Sequence, residues 1–236
     1  MAEATNTEEI VALLESDAKR LNESVGRATA LHATFTTLNN SLSKNDYEII
    51  GPLAGTLNLI QTSLLQEMIL IVVRLLDHPR NLRKNEKVSF KAVDQWLANE
   101  AVRASIIERA RQRHGEEWER RSQVKTRLGI RRINRNLRRL KDEDPNREKL
   151  LRDFRNDFLA HELEHPIPND LPELGHLIGM LSEIKILAFQ TLYVCTGFEI
   201  GFDHIEAEAR EGAEQLLRSI SERKFRWHPK LGVVPK

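Results

Sequence analysis

Apolar residues recur along this chain at spacings of three and four, and runs that alternate in twos are almost absent, so helices are expected nearly from end to end. Residues 6–41 carry Ile10, Leu13, Leu14, Leu21, Val25, Leu31, Phe35 and Leu38, with Asn39-Asn40-Ser41 as a stop signal. A second long helix is expected from about Asp46 to Asp77, with Pro52 in its first turns, and a loop from His78 onward. Ser89 is placed to cap the helix that runs through Trp96 and Leu97.

Residues 100–144 form a charged helical insert in which the apolar positions change face. Val124 and Leu128 share one side, whereas Ile130, Ile133, Leu137 and Leu140 share the opposite one. Gly129 sits at the changeover, which predicts a bend or break there. Pro145 suits the first turn of the following helix, whose stripe is Leu151, Phe154 and Phe158. After a loop at 162–170, helices are expected from Leu171 to Val194, stopped by Thr196-Gly197, and from Asp203 to Glu222 with a sparse apolar face. The fold class is therefore all-α. One domain over 1–222 is expected, including the insert, followed by a basic C-terminal tail over 223–236.

The most apolar stretch, Leu57 to Leu76, is interrupted by Gln61, Gln66, Glu67 and Arg74, and its unbroken run from Met68 to Val73 is too short for a bilayer. It is expected to be a core helix, with no membrane partner. The start, Met1-Ala2-Glu3-Ala4-Thr5-Asn6, lacks the basic-then-apolar order of a secretory signal. A single cysteine, Cys195, rules out a disulfide within the chain and suits a reducing cytoplasm, which is the expected location.

Charge sharpens the picture. The whole chain is only +1, yet between Arg120 and Lys141 there are ten Lys or Arg and no Asp or Glu. Arg131, Arg132, Arg135 and Arg138 lie in this stretch and are candidates for holding an RNA backbone, which gives affinity with little sequence information. The other reading is a solvated helix face neutralised by Glu116, Glu117, Glu119, Asp142 to Asp144 or a partner protomer. Aromatic residues for base stacking are missing from the stretch itself.

The chemically pointed segment is Arg155-Asn156-Asp157-Phe158-Leu159-Ala160-His161. An always-charged guanidinium beside a group that titrates near neutrality suits metal-free RNA cleavage, with arginine holding a phosphate while imidazole moves a proton. Spacing alone is weak, because Arg27 with His32, Arg109 with His114 and Arg223 with His228 also fit, so that with His161 half of the eight histidines satisfy it. Context favours Arg155 and His161, which belong to a helix with an apolar stripe. At about 100° per residue the two fall roughly 120° apart on a straight helix. One compact site then needs a two-fold partner helix or a bend near His161. His165 with His161, Glu162 and Glu164 offers metal ligands only if the helix continues, which Pro166 and Pro168 oppose, so no metal or other cofactor is expected. The plainer alternatives are a histidine at a helix C-terminus and an arginine in a surface pair with Asp157 or Glu162.

Arg155-Asn156 followed by Leu159-Ala160-His161 at the end of a core helix resembles the HEPN superfamily, whose motif is an arginine, commonly a polar residue, and a histidine after four to six positions. More narrowly, the chain resembles the abortive-infection AbiU-type HEPN group through Arg74-Leu75-Leu76-Asp77, Val88-Ser89-Phe90-Lys91, the long insert and the Arg-to-His helix, over most of residues 45–200. The resemblance implies an all-helical bundle, usually a homodimer, with arginine and histidine facing a cleft between protomers. It implies a metal-independent endoribonuclease of a toxin or phage-defence system, for which an antitoxin or other partner protein is a natural restraint. Arg155, Asn156 and His161 are then catalytic. Arg74 and Asp77 are either an intrahelical pair or a support for the Arg155 helix. A HEPN bundle that is catalytically silent and binds RNA or protein is the competing implication. Another HEPN group carries a modifiable tyrosine two residues past the histidine; that position is Leu163 here.

Overall fold

The computed structural model describes residues 2–42, 54–77, 88–113, 115–143, 145–159, 173–222, 225–228 and 232–235. The helices are α1 (Ala2–Leu42), α2 (Ala54–Leu76), α3 (Phe90–Ala98), α4 (Glu100–Arg113), α5 (Gly115–Glu143), α6 (Pro145–Asp153), α7 (Leu174–Thr196) and α8 (Asp203–Glu222). A π-helical segment, Phe154–Leu159, continues from α6. The fold is all-α, as the three-four periodicity requires. Among the described residues its one β feature is at the C-terminal end, where β1 (Phe225–His228) pairs antiparallel with β2 (Gly232–Pro235), Arg226 opposite Val234. The sequence pattern suggests only a basic tail there, because two four-residue strands are too short to show a period.

Local signals set several boundaries. Ser89 caps α3, its hydroxyl accepting from the Ala92 amide, and Asn99 does the same for α4 through the Ala101 amide. Pro145 opens α6, where its missing N–H costs nothing. Gly197 ends α7 with φ +79°, its N–H donating to the Tyr193 carbonyl at 2.8 Å. Pro52, the loop at 162–170 and the expected α7 start at Leu171 lie outside the described residues.

The chain divides into two compact units, residues 1–25 with 69–201, and residues 26–68 with 202–236. In the first, Val11, Leu14, Ala18, Leu21 and Val25 form the buried face of α1, and Leu177, Ile184, Leu187, Ala188 and Val194 that of α7. Each fully buried Leu or Ile contributes roughly 1.5–3 kcal/mol. Arg109 pairs with Glu8 and Glu15, and the Arg109 bond is the main cause that holds the Glu8 carboxyl below its ordinary value. Arg113 donates to Glu15 at 3.0 Å and to the Cys195 carbonyl at 2.6 Å, placing a cation on the negative end of α7. In the second unit Gly26 lets α1 pass close to Ile205 of α8, and Arg27 pairs with Glu67 at 3.0 Å.

The insert departs from expectation. α5 runs unbroken through Gly129. Its buried stripe is Ser122, Thr126, Gly129, Ile130, Ile133 and Leu140, while Val124 and Leu128 are 49% and 43% exposed. The apparent change of face arises because the buried N-terminal half of the stripe is built from small polar residues. Ser122 satisfies its hydroxyl on the Ala110 carbonyl of α4 at 2.8 Å. Gly129 is there for contact: a Cβ on it would lie 2.5 Å from Cγ2 of Val194 on α7.

Gly55–Leu76 and Leu174–Thr196 are long and apolar enough to cross a membrane by length and composition. In this fold Met68, Ile69, Ile71, Val72, Val73, Leu75 and Leu76 of the first are buried, whereas its Leu59 is 67% exposed.

Candidate functional site

Arg155 lies in the π-helical segment, where hydrogen bonds run from i to i+5 and each turn is wider than in an α-helix. The α-helical rotation that separates Arg155 from His161 by about 120° therefore does not apply over this segment. Such segments are frequent at functional sites because they re-aim side chains without ending the helix. His161 itself lies outside the described residues, as do the alternative partners Glu162 and His165.

The Arg155 guanidinium is held on two sides. Its Nη1 donates to Asp77 Oδ2 at 2.8 Å, and its Nε and Nη2 donate to Asn156 Oδ1 at 3.0 and 2.8 Å. Arg155 keeps a quarter of its side chain exposed, whereas that of Asp77 is 12% exposed. Of five N–H donors on a guanidinium, these bonds use three and leave two. The arrangement fixes a cation in orientation and still presents donors to an anion. Asn156, expected to be catalytic, is placed to orient the arginine.

Asp77 stands one residue past the end of α2 and carries a second cation, Arg152 of α6, at 3.9 Å. Arg152 donates to Glu148 at 2.5 Å, and Glu148 also accepts from Lys91 of α3 at 2.7 Å. Lys91, Glu148, Arg152, Asp77 and Arg155 thus form one chain of charges joining α2, α3, α6 and the π segment. Arg74, on the last turn of α2, is exposed, so Asp77 is the member of that pair which meets the Arg155 helix. Sequence reasoning misses Lys91, Glu148 and Arg152, although Glu148 and Arg152 at i, i+4 and Arg152 and Arg155 at i, i+3 share a helix face.

Beside this chain of charges lies a cavity of about 550 Å³ floored by Leu76, Leu137 and Leu140, with four cations, Lys91, Arg138, Lys149 and Arg152, against two carboxylates, Asp94 and Glu148. Burial pushes the Asp94 carboxyl up, and Arg138 opposes that rise. Arg131, Arg132, Arg135 and Arg138 are all exposed on α5. Of these the structure brings only Arg138 to the cavity next to Arg152. Among the described residues no group of three or more His, Cys, Asp or Glu is placed to hold a metal. Cys195 is buried and its thiol is pushed up to about 12, chiefly by burial, so it is no nucleophile.

Residues 5–187 match the family model described as AbiU2, within the HEPN group. No curated protein and no solved structure matches the chain.

Proposed function

Because the chain belongs to the AbiU2 family, an abortive-infection group of HEPN domains, we propose that it is a metal-independent endoribonuclease of phage defence that acts as a cytoplasmic homodimer. The observation that carries this reading is the Arg155 guanidinium, anchored by Asp77 and Asn156 with two N–H donors left for a phosphate.

In the reaction the 2′-oxygen of the ribose attacks the adjacent phosphorus and the bond to the 5′-oxygen breaks. His161 moves a proton, either from the 2′-hydroxyl or to the leaving oxygen, the work imidazole commonly does in general acid–base catalysis. Arg155 stabilises the charge that grows on the phosphoryl oxygens. No water is consumed, so the products are a 2′,3′-cyclic phosphate and a 5′-hydroxyl, and DNA is not cut. Two protomers related by a two-fold axis bring two Arg155 and two His161 to one cleft. The exposed arginines of α5 hold the strand by its phosphates.

One observation favours a second reading. Asp77 neutralises Arg155, as it would in a catalytically silent scaffold that binds RNA or a protein partner. Incubating the purified chain with total RNA in excess EDTA separates the two: the enzyme degrades RNA and its Arg155→Ala and His161→Ala variants do not, whereas the scaffold leaves RNA intact in all three. Light scattering at micromolar concentration should give a dimer; an active monomer removes the shared cleft.

A further inference from the structure

The exposed seam between α5 and α7 carries two stripes at helical spacing. On α5 these are Arg121, Lys125, Leu128 and Arg132; on α7 they are Ile186, Phe189 and Tyr193, continued past the Gly197 cap by Phe198. Two adjoining hollows of about 470 and 290 Å³ lie along the seam and share Lys125, Tyr193 and Glu199. The close approach at Gly129 brings the helices near enough for the Lys125 ammonium to stand 5.7 Å from the centre of the Tyr193 ring. Phe189 is 36% exposed and Phe198 67%, so apolar ring surface faces solvent here rather than the core.

We propose that this seam is a binding groove for single-stranded RNA, in which bases stack on Phe189, Tyr193 and Phe198 while phosphates lie along Arg121, Lys125 and Arg132. An occupant both flat-faced and anionic fits best, since the hollows are lined by three cations against the single carboxylate Glu199, which stands 3.9 Å from Lys125. Unpaired nucleotides meet both demands. A duplex offers phosphates but hides its base faces. A second copy of the chain, joined by a two-fold axis through this seam, would set the cationic stripe against itself. The inference rests on the ribonuclease reading for the choice of RNA over DNA; stacking and charge by themselves accept either.

The test uses the full chain carrying Arg155→Ala, so that bound RNA survives, and a fluorescently labelled single-stranded RNA, its duplex and the DNA of the same sequence. Phe189→Ala and Phe198→Ala remove exposed rings, and unchanged melting curves show that the fold is kept. Each should weaken single-strand binding about 5- to 150-fold, the range of one base-on-ring stack, and leave duplex binding nearly constant, while Phe189→Trp should retain it. Equal losses for single strand and duplex, no loss at all, or a change of oligomeric state caused by the ring substitutions would overturn the groove. If the unsubstituted chain cuts no RNA yet single strands of RNA and DNA still lose affinity on ring removal, the ribonuclease reading fails and the stacking groove stands.

Discussion

Replacing Gly129 with alanine isolates the contact that fixes α5 against α7. The new Cβ would stand 2.5 Å from Val194 Cγ2, about 1 Å inside the usual carbon–carbon separation of roughly 3.5–4 Å. Val194 is fully buried and β-branched in a helix, so it has essentially one rotamer and no solvent to turn into. Overpacking of this kind costs about 1–3 kcal/mol. Against it stands the helix propensity gained by losing an interior glycine, about 1 kcal/mol. The net expectation is a loss of roughly 1 kcal/mol, read from urea unfolding at constant slope. Val194→Ala alone should also destabilise, by leaving a cavity, yet combined with Gly129→Ala it should recover stability through a coupling of about 1–2 kcal/mol. A Gly129→Ala variant more stable than the original, or strictly additive effects, would refute the close-approach account and restore the view of Gly129 as a helix break.

Further outcomes follow from the charges. Asp77→Asn keeps shape but removes the anion between Arg152 and Arg155; stability should fall by about 1–2 kcal/mol, near the low end for a charged hydrogen bond, and single-turnover RNA cleavage should slow, whereas unchanged cleavage would detach Asp77 from the site. Asp17 is buried and its carboxyl is pushed up by burial, with Arg20 opposing. Its folded value exceeds the unfolded one, so the penalty on its charged form is absent in acid and builds as pH rises through the carboxylate range. Asp17→Asn should accordingly raise the melting temperature at pH 7 and lose that advantage below about pH 4; a constant advantage would mean that charge is not the cause. Exchanging Arg131, Arg132, Arg135 and Arg138 for glutamate should weaken RNA binding and reduce the salt slope by about 0.7 for each single-strand phosphate that no longer meets a cation, and an unaltered salt titration would show that this face does not hold the strand.

What the sequence disclosed depended on how local the cause was. The Ser89 cap, the Gly197 stop and the Pro145 start are decided within a turn of chain, and each stands where the residues put it. The face change at Gly129 is misleading because Ser122 and Thr126 are buried, Ser122 with its hydroxyl on the Ala110 carbonyl of α4, and polarity alone assigns them to solvent. Arg155 and Asp77 both stand out by residue type, but they are 78 residues apart and no periodicity reports their contact. Lys91 and Glu148 stand 57 apart and carry no signal of their pairing at all. The π-helical turn carries no Pro or Gly in Phe154–Leu159 to mark it. The aromatic rings absent from Arg120–Lys141 stand across the seam on α7, a pairing only the fold reveals.

The central claim is that Arg155 and His161 cut RNA by attack of the strand's own 2′-hydroxyl. The direct measurement is end-group analysis of a labelled RNA oligonucleotide incubated with the chain in excess EDTA, beside the same strand with one 2′-deoxy position at the cleaved bond. Fragments ending in 2′,3′-cyclic phosphate and 5′-hydroxyl are expected, with the deoxy strand uncut and Arg155→Ala or His161→Ala slowing the reaction by about 10²–10⁴. Cleavage that persists in both variants, that requires an added metal ion, or that leaves 5′-phosphate ends would contradict it.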